Sequence, residues 1–196
     1  ILARCVMSTH LRSPLAVVLG AVLLLSPLPA AARRHGPITL HVPRYTVAPL
    51  SDREVCYFVR VPMADAYDVA GQIIRSATHA DAGSTSHHFL LYVYAGKDLA
   101  GYQPWEGKLV DSKACLDMGP ADASSRILLG GAQTPHSAGR LRRGLAMRLD
   151  PQEDGGRGKA IGFILNSHWI NSSTQPVTAS VSVKLVPAKP KSVKKY

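Results

Sequence analysis

Two adjacent histidines, His87 and His88, open an apolar run, Ser86-His87-His88-Phe89-Leu90-Leu91-Tyr92-Val93-Tyr94. A third, His168, interrupts a second run, Ile161-Gly162-Phe163-Ile164-Leu165-Asn166-Ser167-His168-Trp169-Ile170. Three neutral imidazoles suit copper or zinc, because both ions accept nitrogen donors at low coordination number. The difficulty is geometric. Neighbouring side chains on a regular strand point to opposite faces, so His87 and His88 cannot both reach one ion from a strand interior. A bulge or a strand start relieves this, and the lead-in Gly83-Ser84-Thr85-Ser86 permits one. The bland alternative is one or two satisfied core histidines with the rest on the surface.

The elements that must position these residues are strands. Residues 54–61, 68–75, 86–95, 144–149, 160–170 and 179–186 read as strands, the second weakened by Gly71. The last alternates Ala179, Val181, Val183 and Leu185 with Ser180, Ser182 and Lys184, which marks a strand with one wet face. Gly, Pro, Ser and Asp clusters punctuate the runs, and no stretch holds a long helical period. Short strands with turn punctuation favour an all-β, antiparallel sandwich. On the strand of the third histidine, Asn166 shares a face with His168. It either orients water or substrate or is a buried amide satisfying strand ends. Tyr92, Tyr94 and Trp169 read as core, as do Met63, Met118 and Met147.

The chain divides into three parts. Arg4 and Arg12 precede the apolar stretch 15–25, and Ala30-Ala31-Ala32 follows it. That is the pattern of a secretory signal over residues 1–32, with an N-terminal membrane anchor as the alternative. Eleven apolar residues are too few to span a bilayer. The expected mature chain is therefore secreted, periplasmic or in the cell envelope, and not transmembrane. Residues 33–186 form the expected domain. Residues 187–196 read as a basic tail or linker.

Cys56 and Cys115 remain after the signal, and in an exported chain an even count favours a disulfide over two buried thiols. It would close a loop of about 59 residues (115 − 56), worth roughly 4 kcal/mol on the chain-entropy model. Net charge is +10. Arg140, Arg142, Arg143 and Arg148 form one basic cluster, and the C-terminal lysines form another. Without interleaved aromatics, and with export, these read as solvated loop and tail, not as a nucleic-acid interface. Loop positions are expected for His79 and His136, and His35 and His41 lie near the mature start. Asn171-Ser172-Ser173 is a glycosylation sequon. No nucleophile elbow, Walker loop or His-Glu-x-x-His helix occurs, no pair of cooperating carboxylates is evident, and Gly155-Gly156-Arg157-Gly158 reads as a hairpin turn.

The run His87-His88-Phe89-Leu90-Leu91-Tyr92 resembles the paired-histidine motif of the copper type II, ascorbate-dependent monooxygenases, the peptidylglycine α-hydroxylating and dopamine β-monooxygenase family. The likeness is to the N-terminal of their two copper domains. Val55-Cys56-Tyr57-Phe58-Val59-Arg60-Val61-Pro62 is similar to the family's early cysteine strand, and Cys115 lies where a loop cysteine would pair back. Gly130-Gly131-Ala132-Gln133-Thr134-Pro135, then residues 141–149, resemble the segment leading to the third ligand. Leu165-Asn166-Ser167-His168-Trp169-Ile170-Asn171 resembles the motif carrying that ligand. The likeness spans about residues 43–187.

The resemblance implies a jelly-roll sandwich in which His87, His88 and His168 bind one electron-transfer copper, with ascorbate as reductant. In it a carboxamide at the place of Asn166 faces the space between the two coppers. It also implies a partner: a second copper domain that activates O₂ and hydroxylates a C–H bond of a small-molecule or peptide substrate. That second site needs a His-x-His pair and a methionine, and no His-x-His occurs here. The expected function is thus the electron-transfer half of such an enzyme. The alternatives are a non-enzymatic, single-domain copper-binding or electron-carrier protein of the envelope, or a metal-free structural or carbohydrate-interacting module.

Overall fold

In the computed structural model the chain divides between residues 32 and 33. The structure describes residues 36–78, 84–94, 102–111, 126–151 and 160–189. Ten strands make up the described fold. They are β1 (Ile38–Val47), β2 (Ser51–Pro62), β3 (Tyr67–Thr78), β4 (Ser84–Tyr94), β5 (Leu109–Asp111), β6 (Arg126–Ala132), β7 (His136–Arg140), β8 (Met147–Leu149), β9 (Ala160–Asn171) and β10 (Val177–Pro187). One 3₁₀ turn, Gln103–Trp105, precedes β5. Among the described residues no helix is long and apolar enough to cross a membrane.

The strands form two antiparallel five-stranded sheets. The first runs β1-β10-β3-β7, with β8 also pairing β3. The second runs β5-β2-β9-β4-β6. Leaving out β5 and β8, this is the strand order of a jelly roll, in which successive strands alternate between the sheets except at β4 and β6, which pair within the second. The expected all-β sandwich is therefore the fold.

Alternation explains the packing. In β10 every second residue from Val177 to Leu185 is buried, and the residues between them face out. Tyr57, Leu165, Phe163, Phe89, Leu91 and Trp169 from the second sheet meet Leu40, Val42, Ile74 and Val183 from the first in one core. Tyr45 ties the layers. It crosses from β1 to the oxygens of Ser167 on β9, at 2.9 Å from Oγ, and burial pushes its phenol above the ordinary range.

A second, smaller cluster lies on the outer face of the second sheet. Cys56, Phe58, Ile164 and Tyr94 are covered there by Tyr102 and the partly buried Trp105. Gly162 makes this possible, since a Cβ there would sit 3.2 Å from the Tyr102 ring. The Tyr102 hydroxyl donates to the Phe163 carbonyl at 2.9 Å.

Several expectations need correction. β1, β5, β6 and β7 were not legible as strands. His136, expected in a loop, is the first residue of β7, and His41 is an exposed residue of β1. Arg140 and Arg148 belong to β7 and β8 and not to a solvated loop. The strand expected over 144–149 shrinks to Met147–Leu149, because residues 142–145 form a turn closed by Leu145 N–H donating to the Arg142 carbonyl. The sequon asparagine Asn171 is 1% exposed. Its amide donates to the carbonyls of Ala48 and Gln175, so it braces two turns in place of offering a glycan acceptor. His35, His79, Cys115, Met118 and residues 155–158 lie outside the described residues.

Candidate metal centre

The site forms at the end of the second sheet's outer face away from the Tyr102 and Trp105 cover. β9 is the central strand, flanked by β2 and β4. Register places Glu54 opposite His168 on one side and His88 opposite His168 on the other. Three strands thus present Glu54, His168 and His88 in one transverse row.

His87 joins by the device the geometry requires. The β4–β9 pairing runs Ser86↔Trp169, then His88↔His168, with His87 unpaired between them. This bulge breaks the two-residue alternation, so both histidines stand on the outer face while Ser86 and Phe89 stay buried. The three ring centroids are 5.3, 4.9 and 5.1 Å apart. One nitrogen from each ring can be chosen so that all three lie within 4.8 Å of one another. The Nδ1 atoms of His87 and His88 are 3.2 Å apart. Donors on one tetrahedral or trigonal ion, with bonds of about 2 Å, stand about 3.3–3.6 Å apart. The cluster therefore fits one such ion after small side-chain rotations.

The remaining nitrogens are engaged from behind. His88 Nε2 lies 3.1 Å from Glu54 Oε1 and 3.0 Å from Asn166 Oδ1. Asn166 Nδ2 donates to Glu54 Oε1 at 2.8 Å and to Cys56 Sγ at 3.5 Å. His168 Nε2 lies 2.9 Å from Asp52 Oδ2. Both imidazoles thus place an Nε2–H on a carboxylate, which fixes the ring and leaves Nδ1 unprotonated, that of His88 facing His87 Nδ1. Metal-binding histidines show the same arrangement: the outer hydrogen bond sets the tautomer and raises ligand basicity. Glu54 and His88 are about three-quarters shielded from water, whereas the Asp52 side chain is 68% exposed, so the Glu54 contact is the stronger of the two.

Asn166 is fully buried and bonded to His88 and Glu54, so it does not serve strand ends. Beside it across the ladder, Cys56 is fully buried and disulfide-bonded. Its expected partner, Cys115, is outside the described residues.

Asp52 and Glu54 are the residues that sequence reasoning missed; each backs a different imidazole, so they do not form a cooperating pair. The signal was present. Asp52-Arg53-Glu54 puts two carboxylates two residues apart, hence on one face of a strand leading into Cys56. An open recess of about 460 Å³, lined by Leu50, Ser51, Asp52, Ile170, Asn171 and Ser172, adjoins the site. No protein-family model matches the chain. No curated protein matches it either.

Proposed function

We propose that His87, His88 and His168 hold one copper ion, and that the sandwich is the electron-transfer domain of a copper type II, ascorbate-dependent monooxygenase. The bulge at His87 carries the reading. A strand seldom breaks its pairing to bring two adjacent imidazoles onto one face beside a third. The resemblance of the histidine and cysteine motifs selects copper from the ions that imidazole suits, and the second copper site that hydroxylates substrate is assigned to a partner domain. Copper, when bound, supplies one-electron exchange between Cu(I) and Cu(II), with ascorbate as the donor.

The protein's own part is positional. The three rings converge from one sheet face, where the backbone ladder resists displacement. Glu54 and Asp52 hold the His88 and His168 rings in the tautomer that leaves Nδ1 as the unprotonated donor. His87 is exposed, so the centre is open to a small reductant without a channel.

The test is direct. The chain is loaded with Cu(II), treated with ascorbate anaerobically, and followed by electron paramagnetic resonance. One Cu(II) per chain should lose its signal and recover it in air. Tight zinc retention with no stoichiometric copper uptake would contradict the reading.

A further inference from the structure

The two sheets differ sharply in charge. The strands of the first sheet carry Arg44, Arg75, Arg140, Arg148 and Lys184 against one carboxylate, Asp68, which pairs with Arg148. Arg44, Arg75, Arg140 and Lys184 are all exposed. At one edge of this sheet lies a groove of about 410 Å³, lined by Arg140, Arg142, Arg143 and Lys189 together with Leu141 and Leu145. None of the described ion pairs involves Arg140, Arg142 or Arg143.

The loop that builds the groove is a set turn. Leu141 N–H donates to the Ala70 carbonyl at 2.9 Å, and Leu145 N–H donates to the Arg142 carbonyl at 3.0 Å. Gly144, at φ 92°, supplies the positive φ such a turn demands at its third residue. The turn presents arginines flanked by leucines that are 39% and 46% exposed. A free anion or a polyanionic chain would use the arginines and leave the leucines wet. A phospholipid surface uses both, since headgroup phosphates take the guanidinium groups while apolar side chains enter the acyl boundary.

We infer that the 141–145 loop, with Arg140, Lys189 and the cationic face beside it, docks this protein on an anionic phospholipid surface. The groove lies at the Pro187 end of β10, and the histidines lie on the other sheet at the end where β9 turns into β10. Ten residues of extended strand separate these ends by about 33 Å. Docking therefore leaves the imidazole cluster facing away from the lipid, and the inference does not depend on which metal that cluster holds.

The test is co-sedimentation of the full chain with phosphatidylcholine vesicles, with and without phosphatidylglycerol. Binding should rise with the anionic lipid, and the rise should vanish in high salt, as screening requires. Each cation near such a surface contributes about a fivefold gain in partitioning. R142Q with R143Q should therefore lower the gain about 25-fold, and L141S with L145S about tenfold. Circular dichroism and melting of these exposed-loop variants should match the parent, and the salt dependence reads the same surface without any variant. Equal binding to both vesicle types overturns the inference. So does a leucine pair that leaves vesicle binding intact while the arginine pair alone abolishes retention on heparin, because the partner is then a polyanion and not a bilayer.

Discussion

Each outer face of the sandwich carries a transverse row with histidines in it, and the two rows do opposite things. On the first sheet the row is His41, Ser182, Arg75, His136, read across β1, β10, β3 and β7. Three inter-strand steps separate its imidazoles by about 14 Å, and a guanidinium stands between them. On the second sheet the row is Glu54, His168, His88, with His87 pushed into it by the bulge. There the rings stand 4.9–5.3 Å apart and carboxylates back them. Histidine on a strand is therefore not the informative feature. Adjacency across the ladder, an unpaired extra residue and a carboxylate behind the ring are what distinguish a metal-ready row from a solvated one.

The comparison breaks most easily at its centre. His168→Ala removes the ring that both neighbours face, and copper affinity should fall by about 100-fold or more, read by competition against a chromophoric chelator. Cys56→Ser removes the disulfide beside Asn166 and should cost about 2–5 kcal/mol of stability, read by urea titration. Glu54→Gln keeps the shape but turns the acceptor behind His88 neutral. Affinity should fall about 10–100-fold while the fold stays intact, with the nitrogen splittings of the Cu(II) spectrum altered. Tyr45→Phe unties Ser167 from the opposite sheet and should lower stability by about 1 kcal/mol with copper stoichiometry unchanged. At the small end, His41→Ala with His136→Ala should leave copper binding as it was. A measurable loss there would dissolve the distinction between the rows.

Much of this was legible in the sequence, for physical reasons. β4, β9 and β10 are long and rich in β-branched and aromatic residues, and β10 shows its one wet face by strict alternation. That His87 and His88 need a bulge or a strand start to share a face followed from the two-residue period, and the pairing of β4 with β9 shows the bulge. Other elements exist only because a neighbour pairs with them. β7 is His136-Ser137-Ala138-Gly139-Arg140, with no intrinsic strand preference, and β3 holds it in place. Pro43 and Arg44 fall where the β1–β10 register shifts, which hid β1. Gly130 and Gly131 disguised β6. A Cβ on Gly130 would run into the end of the Gln72 side chain, so glycine there leaves room for that side chain and does not mark a turn. Asp52 and Glu54 stayed unseen because two carboxylates at a strand start look like ordinary solvated charge until register sets them against imidazoles.

The central claim is that the three rings share one ion, with Nε2 of His88 and His168 held by carboxylates. Pulsed electron paramagnetic resonance of the Cu(II)-loaded chain tests it most directly, because it reads the remote nitrogen of each coordinated imidazole. The account predicts three equivalent-class imidazoles in the parent and two, with much weaker binding, after His168→Ala. An unchanged spectrum in that variant, or a parent spectrum with a single imidazole, would contradict it.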